Sequence, residues 1–225
     1  MIDDPPLLQI RRGFPRPAAA LRERFADLPS GHVVDALGGR AGLDGRIKPV
    51  AGSGRFCGVA VTCHAGPGDN LAACGALIVL QPGDVVVCAT DGFQACAVIG
   101  DLLLGMMKNC GAVAFVTDGC VRDLPGLRAV GLPCYAAGVT PNSPARNGPG
   151  TVGLPVVLGG LMVESGDIVL GDEDGVVVVP QARIPAVLEG LARVQAAEAA
   201  LDAQVQAGLT VPAYLEALRH RFREE

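Results

Sequence analysis

Short apolar blocks separated by polar, glycine-rich turns run the length of this chain, and they predict its elements. Gly58 to Cys63 reads as a strand, and Val85 to Ala89, after the turn Pro82-Gly83-Asp84, reads as a short buried strand. Ala112 to Val116 and Cys134 to Ala137 repeat the pattern. Four more runs follow: Val156 to Leu158, Leu161 to Val163, Ile168 to Leu170 and Val176 to Val179. Turns rich in Gly, Asp, Glu and Ser (Glu164 to Asp167, Gly171 to Gly175) separate the later ones.

Helical periodicity fills the intervals. Ala18 to Leu28 is helical, and Ser30 is expected to cap a second helix that runs to Leu37 and closes at Gly38-Gly39. Asp69 is the expected N-cap of a helix over 70–80. The helix from Gly100 to Asn109 is expected to carry Leu102, Leu103, Met106 and Met107 on one face, and Gly111 ends it. A short helix lies near Leu127. A long helix runs from Ile184 to Ala207, stopped by Gly208, and a last one spans Pro212 to Phe222. Helix–strand alternation and a strand meander occur together. The expected class is therefore α/β: a β core covered by helices in one domain, residues 1–225, with no compositional break.

Composition narrows the function classes. Half of the 225 residues are apolar and 18% are charged, as in a compact body able to bury a core. The net charge of −5 offers no basic footprint, so no nucleic-acid partner is expected. No apolar run is long enough for a bilayer, and the acidic start Met1-Ile2-Asp3-Asp4 lacks the regions of a signal peptide, so no membrane partner and a cytoplasmic address are expected. Eight cysteines, none in a Cys-x-x-Cys pair, read as reduced small residues of the interior.

Chemistry concentrates in two segments. Gly100-Asp101-Leu102-Leu103 opens a helix, and Asp118-Gly119-Cys120-Val121-Arg122-Asp123 follows a strand, with twenty residues between Asp101 and Arg122. Asp101 sits where free amides and the helix dipole favour anions, so the amides of Leu102, Leu103 and Leu104 could cradle a carboxylate. The same position equally suits an aspartate that only complements the dipole. Arg122 could bind a carboxylate or an enolate oxygen, and Asp123 a hard cation such as Mg2+. A solvated Arg–Asp pair would read the same on residue types.

The remaining candidates are weaker. Gly52-Ser53-Gly54-Arg55-Phe56-Cys57-Gly58 misses the dinucleotide fingerprint by one residue and reads as a loop. Asp84, Asp167, Asp172 and Asp174 occupy turns before β-branched runs. There is no Gly-x-Ser-x-Gly, P-loop or His-Glu-x-x-His, and three histidines are too few for a His-rich metal site.

Together, Gly100-Asp101-Leu102-Leu103, Asp118-Gly119-x-Val121-Arg122-Asp123 and the tail Gly166-Asp167-x-Val169-x-Gly171-Asp172-x-Asp174-Gly175-Val176 resemble the class II pyruvate aldolases acting on 4-hydroxy-4-methyl-2-oxoglutarate and 4-carboxy-4-hydroxy-2-oxoadipate. The regulator of ribonuclease activity A shares their fold. The resemblance covers roughly residues 20 to 210, including Val34-Asp35-Ala36-Leu37-Gly38 and Gly68-Asp69-Asn70.

It implies a layered α-β-β-α sandwich of the swivelling phosphohistidine-domain type. By that resemblance Asp123 binds the divalent cation, Mg2+ or Mn2+, and Arg122 contacts the carbonyl or enolate oxygen of the substrate. Asp101 orients a metal-bound water that acts as base, and Gly100, Leu102 and Leu103 hold the substrate carboxylate. A glutamate from the C-terminal helix of a neighbouring subunit completes the site; Glu198 is the positional match. The implied assembly is a homotrimer or homohexamer, with helices from about residue 184 packing on a neighbour.

The implied reaction is retro-aldol cleavage of a 2-oxo acid to pyruvate and a second 2-oxo acid, with oxaloacetate decarboxylation as a side activity. Lys108 lies beyond the constellation, against a Schiff-base route. A non-catalytic regulator of ribonuclease type is the alternative. A methyltransferase lacks support, since no glycine-rich nucleotide loop is present.

Overall fold

A computed structural model describes residues 4–52 and 54–223, so Met1 to Asp3, Ser53 of the glycine-rich sequence stretch, Glu224 and Glu225 lie outside the described residues. In chain order the elements are β1 (Leu8–Ile10), α1 (Ala19–Glu23), α2 (Ser30–Ala36), β2 (Lys48–Ala51), β3 (Phe56–His64), α3 (Leu71–Ala76) and β4 (Asp84–Ala89). Next come β5 (Ala97–Ile99), α4 (Asp101–Asn109), β6 (Ala114–Thr117), β7 (Cys120–Val121), α5 (Leu124–Val130), β8 (Cys134–Ala136), β9 (Gly138–Val139) and β10 (Gly150–Val152). The chain ends with β11 (Val156–Leu158), β12 (Leu161–Val163), β13 (Ile168–Asp172), β14 (Gly175–Val179), α6 (Ile184–Gln206) and α7 (Ala213–Leu218).

The main sheet runs β1-β10-β3-β4-β6-β8-β2, with β3, β4, β6 and β8 parallel. Alternating side chains of these strands bury both faces. Val61, Cys63, Val86, Cys88 and Phe115 face a core with Ala72 and Ala76 of α3, Leu104 and Met107 of α4, and Leu127 of α5. Ala60, Val85, Val87, Ala114 and Val116 face the opposite way, against Val156, Leu158, Val169, Val176 and Val178. The hairpin β13–β14 pairs with the start of β3 and folds over that second face. Its own outer residues, Ile168, Leu170, Val177 and Val179, pack on Val33 of α2 and on Ile184, Val187 and Leu191 of α6. The order of layers is helix, strand, strand, helix, as the sequence resemblance implies.

Several expectations are corrected. Pro29, not Ser30, is the N-cap of α2; the Ser30 amide and hydroxyl instead donate to Asp172, at 2.8 and 2.7 Å. The helix expected to Leu28 stops at Glu23, and the following turns seat Phe25, fully buried, under α2 and α6. The helix expected over 70–80 ends at Ala76, with Asn70 as N-cap and Asp69 accepting from the Leu71 amide. Phe56 to Gly58 belong to β3 rather than to a loop. On α4 the buried side is Leu104 and Met107, while Leu102 is 77% and Met106 50% exposed. A turn of 100° per residue separates those pairs, so the four apolar residues expected on one face divide between two.

Among the described residues no helix is long and apolar enough to cross a membrane. All eight cysteines carry free thiols, with Cys63, Cys88, Cys120 and Cys134 buried. Burial pushes the Cys134 thiol up to about 12, far from reactive thiolate chemistry.

Candidate active site at the ends of three short strands

Three main-sheet strands do not stop where the sheet stops. Past β4, β6 and β8 the chain bends and resumes as β5, β7 and β9, which form a separate parallel sheet in the order β5-β7-β9. Asp118 and Gly119 make the bend after β6. The Asp118 carboxylate accepts from the Thr90 amide at 2.7 Å, the Thr90 hydroxyl at 3.0 Å and the Gly92 amide at 3.0 Å, tying the loop after β4 to that after β6. Gly119 is needed there because a Cβ would meet Thr90 Oγ1 at 2.6 Å. The segment Asp118 to Asp123 thus contains a strand of two residues.

The two chemistry-bearing segments lie at the C-terminal ends of this small sheet. β5 leads directly into Gly100 and Asp101, and β7 into Arg122 and Asp123. The ladder continues past the strands: the Arg122 amide donates to the Ile99 carbonyl at 3.1 Å, and the Thr140 amide to the Val121 carbonyl at 3.0 Å. Open α/β sheets place ligands outside the carboxyl ends of their strands for this reason of layout.

Asp123 is the most unusual residue of the site. It is the N-cap of α5, yet its backbone is left-handed (φ 60°, ψ 46°) and its side chain makes no capping hydrogen bond. An aspartate at an N-cap ordinarily bonds its own helix, and left-handed backbone in a residue with a Cβ costs about 1–3 kcal/mol. Here the carboxylate turns to Arg122 Nε, 3.3 Å from Oδ2, and to the backbone of Gly100. A Cβ on Gly100 would stand 2.3 Å from Asp123 Oδ2, so only glycine admits this approach. Side-chain exposure is 36% for Arg122 and 46% for Asp123, leaving both accessible to a ligand.

Asp101 lies in the first turn of α4 and packs on α5, where a Cβ on Gly126 would fall 2.1 Å from its Oδ2. Its Oδ1 accepts from the Leu102 amide at 2.7 Å, and the Leu104 amide donates to the Gly100 carbonyl at 3.1 Å. Of the three amides expected to form a carboxylate cradle, two are therefore engaged within the helix start. Of these three, the Leu103 amide alone shows no such bond among the described residues. Lys108 is turned away and donates to the Val130 carbonyl.

Two contributors escaped the sequence reading. Gly126 gave no signal beyond being a glycine near a helix start. Ser143, beyond β9, accepts from Arg122 Nη1 at 2.5 Å, and only its place between Pro141 and Pro144 hints at a fixed conformation.

Glu198 does not join these residues within its own chain. It lies on the exposed second half of α6, pairs with His32 of α2 and is 58% exposed, while His32 Nδ1 is buried without a hydrogen-bond partner among the described residues. The turn aspartates are committed to structure. Asp167 accepts from the Glu164 and Gln181 amides, at 2.9 and 3.0 Å. Asp84 accepts from the Gln81 amide and pairs with Arg16, and burial pushes its carboxyl above the usual carboxylate range despite those bonds.

Among the described residues no group of three or more His, Cys, Asp or Glu side chains could enclose a metal ion. The donor set instead suits a hard cation that keeps most of its waters. Asp123 offers a carboxylate held in a strained, half-exposed position beside a glycine, and Mg2+ commonly takes only one or two protein carboxylates.

A family model described as RraA-like, Aldolase/RraA, matches residues 30–178. A relative from Halalkalibacterium halodurans that carries the provisional name 4-hydroxy-4-methyl-2-oxoglutarate aldolase is 34% identical over 198 residues, covering 88% of this chain and 94% of its own. A solved protein of undescribed function from Pseudomonas syringae superposes with a TM-score of 0.75 at 25% identity, over 92% of this chain and all of its own. RraAS2 of Streptomyces coelicolor, a member of a ribonuclease-inhibitor family, superposes with a TM-score of 0.73 at 28% identity, over 84% of this chain and all of its own.

Proposed function

The chain belongs to the RraA-like (Aldolase/RraA) family, and from that membership we propose that it is a divalent-metal-dependent pyruvate aldolase. The observation that carries the reading is Asp123. A carboxylate that leaves its own helix uncapped, at the cost of left-handed backbone, and turns instead to Arg122 and Gly100 is arranged for a ligand.

The substrate is a 4-hydroxy-2-oxo acid such as 4-hydroxy-4-methyl-2-oxoglutarate. A Mg2+ or Mn2+ ion held at Asp123 supplies Lewis acidity toward the 2-oxo acid group. Arg122 donates to the 2-keto oxygen, and the Leu103 amide with Gly100 receives the neighbouring carboxylate. Asp101 orients the water that takes the proton of the 4-hydroxyl. The C3–C4 bond then breaks: its electron pair passes to the pyruvyl part as an enolate, and C4 becomes the carbonyl of the second 2-oxo acid. Arg122 stabilises the enolate oxygen, and protonation at C3 releases pyruvate. Loss of CO2 from oxaloacetate makes the same enolate, so it is the expected side reaction.

Glu198 is assigned to a neighbouring subunit's site. Beyond Leu191 the helices α6 and α7 bury no residue; they expose Leu201, Val205, Tyr214 and Leu218, and Val211 of their connection is exposed beside them, a surface suited to packing on a second copy in a homotrimer or homohexamer. A cytoplasmic location fits eight unpaired thiols.

The likeness to RraAS2 favours a second reading, a non-catalytic regulator of ribonuclease on the same fold. Pyruvate release from 4-hydroxy-4-methyl-2-oxoglutarate and from oxaloacetate, with and without EDTA, separates the two. Turnover that EDTA stops and Mg2+ restores is expected. Absence of metal-dependent turnover sides with the regulator, and full activity in Asp123→Ala overturns the metal mechanism given to Asp123.

A further inference from the structure

Arg122 has two acceptors of different character. The Asp123 carboxylate, 3.3 Å from Nε, is charged and long for a hydrogen bond. The Ser143 hydroxyl, 2.5 Å from Nη1, is neutral and short. A carboxylate partner offsets the charge of a guanidinium, whereas a hydroxyl fixes its direction and leaves the charge in place.

The segment bearing Ser143 is held on both sides. Upstream, the Ala97 amide donates to the Asn142 carbonyl and Asn142 Nδ2 donates to the Ala95 carbonyl, each at 2.9 Å. Downstream, the Ala145 amide donates to the Gly68 carbonyl at 2.7 Å, and the Asn70 amide to the Ala145 carbonyl at 3.0 Å. Asp69 Oδ2 then accepts from the Asn147 and Gly148 amides, at 2.6 and 3.1 Å. Between these ties stands Pro141-Asn142-Ser143-Pro144, in which the residue before Pro144 is confined to extended backbone. An exposed serine would ordinarily be a poor anchor; this one sits on a segment stitched to β5 and to the start of α3.

We propose that Ser143 is a positioning residue of the site, holding the Arg122 guanidinium toward the substrate by a neutral hydrogen bond while Asp123 is engaged by the cation. The proposal rests on the reading of Arg122 as the partner of the enolate oxygen. In that reading Asp123 cannot serve both Arg122 and the cation fully, and its 3.3 Å contact with Arg122 is the one that yields. Ser143 then keeps Arg122 in register without spending its charge. An acidic residue at 143 would fix the same geometry but offset the charge, so geometry and charge can be tested apart.

The test uses the full chain and four variants, Ser143→Ala, Ser143→Thr, Ser143→Asp and Arg122→Ala. It reads kcat and KM for oxaloacetate, Mn2+ affinity by electron paramagnetic resonance, binding of oxalate (a mimic of the pyruvate enolate) by calorimetry, and Tm. Ser143→Ala is expected to lower kcat and oxalate affinity about tenfold, with Mn2+ affinity and KM unchanged. Ser143→Thr, which keeps the hydroxyl, should return to within about twofold of the parent, and Ser143→Asp should weaken oxalate binding at least as much as alanine does.

A Ser143→Ala enzyme within twofold of the parent in kcat and oxalate affinity overturns the proposal, and so does a parallel loss of Mn2+ affinity. If the alanine variant loses Tm, the threonine and aspartate variants decide, and equal behaviour of those two overturns it. Loss of turnover in Arg122→Ala with Ser143→Ala intact removes only the role of Ser143. Full activity in Arg122→Ala, or a parent protein that neither turns over nor binds oxalate, removes the aldolase reading and this proposal with it.

Discussion

Asp118 and Asp123 stand at the two ends of one six-residue segment, on either side of β7, and they are used in opposite ways. Asp118 accepts three hydrogen bonds, two from backbone amides, and closes the bend between the main sheet and the small one. Asp123 sits on left-handed backbone, caps nothing and keeps one long contact to Arg122. A carboxylate with three of its roughly four acceptor sites taken by the fold is held as a structural tie and has little capacity left for a ligand. One held in strain with its oxygens half open draws on stability that the rest of the fold supplies. Both are aspartates beside apolar strand residues, so only the donors around them tell them apart.

The largest test of that contrast is Asp123→Gly. Turnover should fall by at least about 10³-fold, because the residue assigned to the cation is gone. Stability should rise by about 1 kcal/mol, since glycine adopts φ near 60° without strain. Urea denaturation and a pyruvate-release assay read the two together; a variant both less stable and fully active would remove the distinction. Asp118→Ala should do the reverse. It leaves the Thr90 and Gly92 amides without their acceptor, so stability should drop by about 2–3 kcal/mol. Activity should suffer only as far as the small sheet shifts, and an unchanged urea midpoint would show that the bend does not depend on Asp118. A smaller effect is expected from Gly126→Ala, whose Cβ would press on Asp101. Moving that carboxylate should lower kcat about tenfold with Mn2+ affinity unchanged, and steady-state kinetics beside a Mn2+ titration would check both halves.

Sequence pattern resolved the strands that carry long apolar runs, such as β3, β4 and β14, because burial on both faces leaves little else they could be. It also located Asp101 at a helix start and Arg122-Asp123 after a strand. The three short strands β5, β7 and β9 were not legible, since two or three residues carry no periodicity. They are nonetheless what brings Asp101 and Asp123 to one edge. Partners distant in sequence were equally hidden: Ser30 was read as a cap because Asp172, 142 residues on, is invisible to local rules. Ser143 and Gly126 act through proximity to Arg122 and Asp101, which no spacing along the chain records.

The smallest effect concerns Asp172, a third aspartate that was read as a turn residue and proves to be a long-range tie. Burial pushes its carboxyl up. The bonds from the Ser30 amide and hydroxyl and from the Asp174 amide, together with the charge of Arg55, outweigh that and hold it below the usual carboxylate value. Between the folded and unfolded pKa values the native state therefore binds fewer protons than the unfolded chain. Its contribution is fully present above the unfolded value of about 4 and is lost as pH falls through the lower folded value. Asp84 and Asp167 behave oppositely, because burial raises both, so their contribution weakens as pH rises above the ordinary carboxylate range. The acid limb of the wild-type stability curve is thus a difference between opposing groups, and a single profile cannot assign it. Comparing urea denaturation of the parent with Asp172→Asn from pH 7 down to pH 3 can. The gap between the two proteins should be widest near neutrality and close as Asp172 takes up its proton. A gap that stays constant across that range would mean that Asp172 holds Ser30 equally well in either protonation state, and that satisfied aspartates in this fold are interchangeable with neutral acceptors.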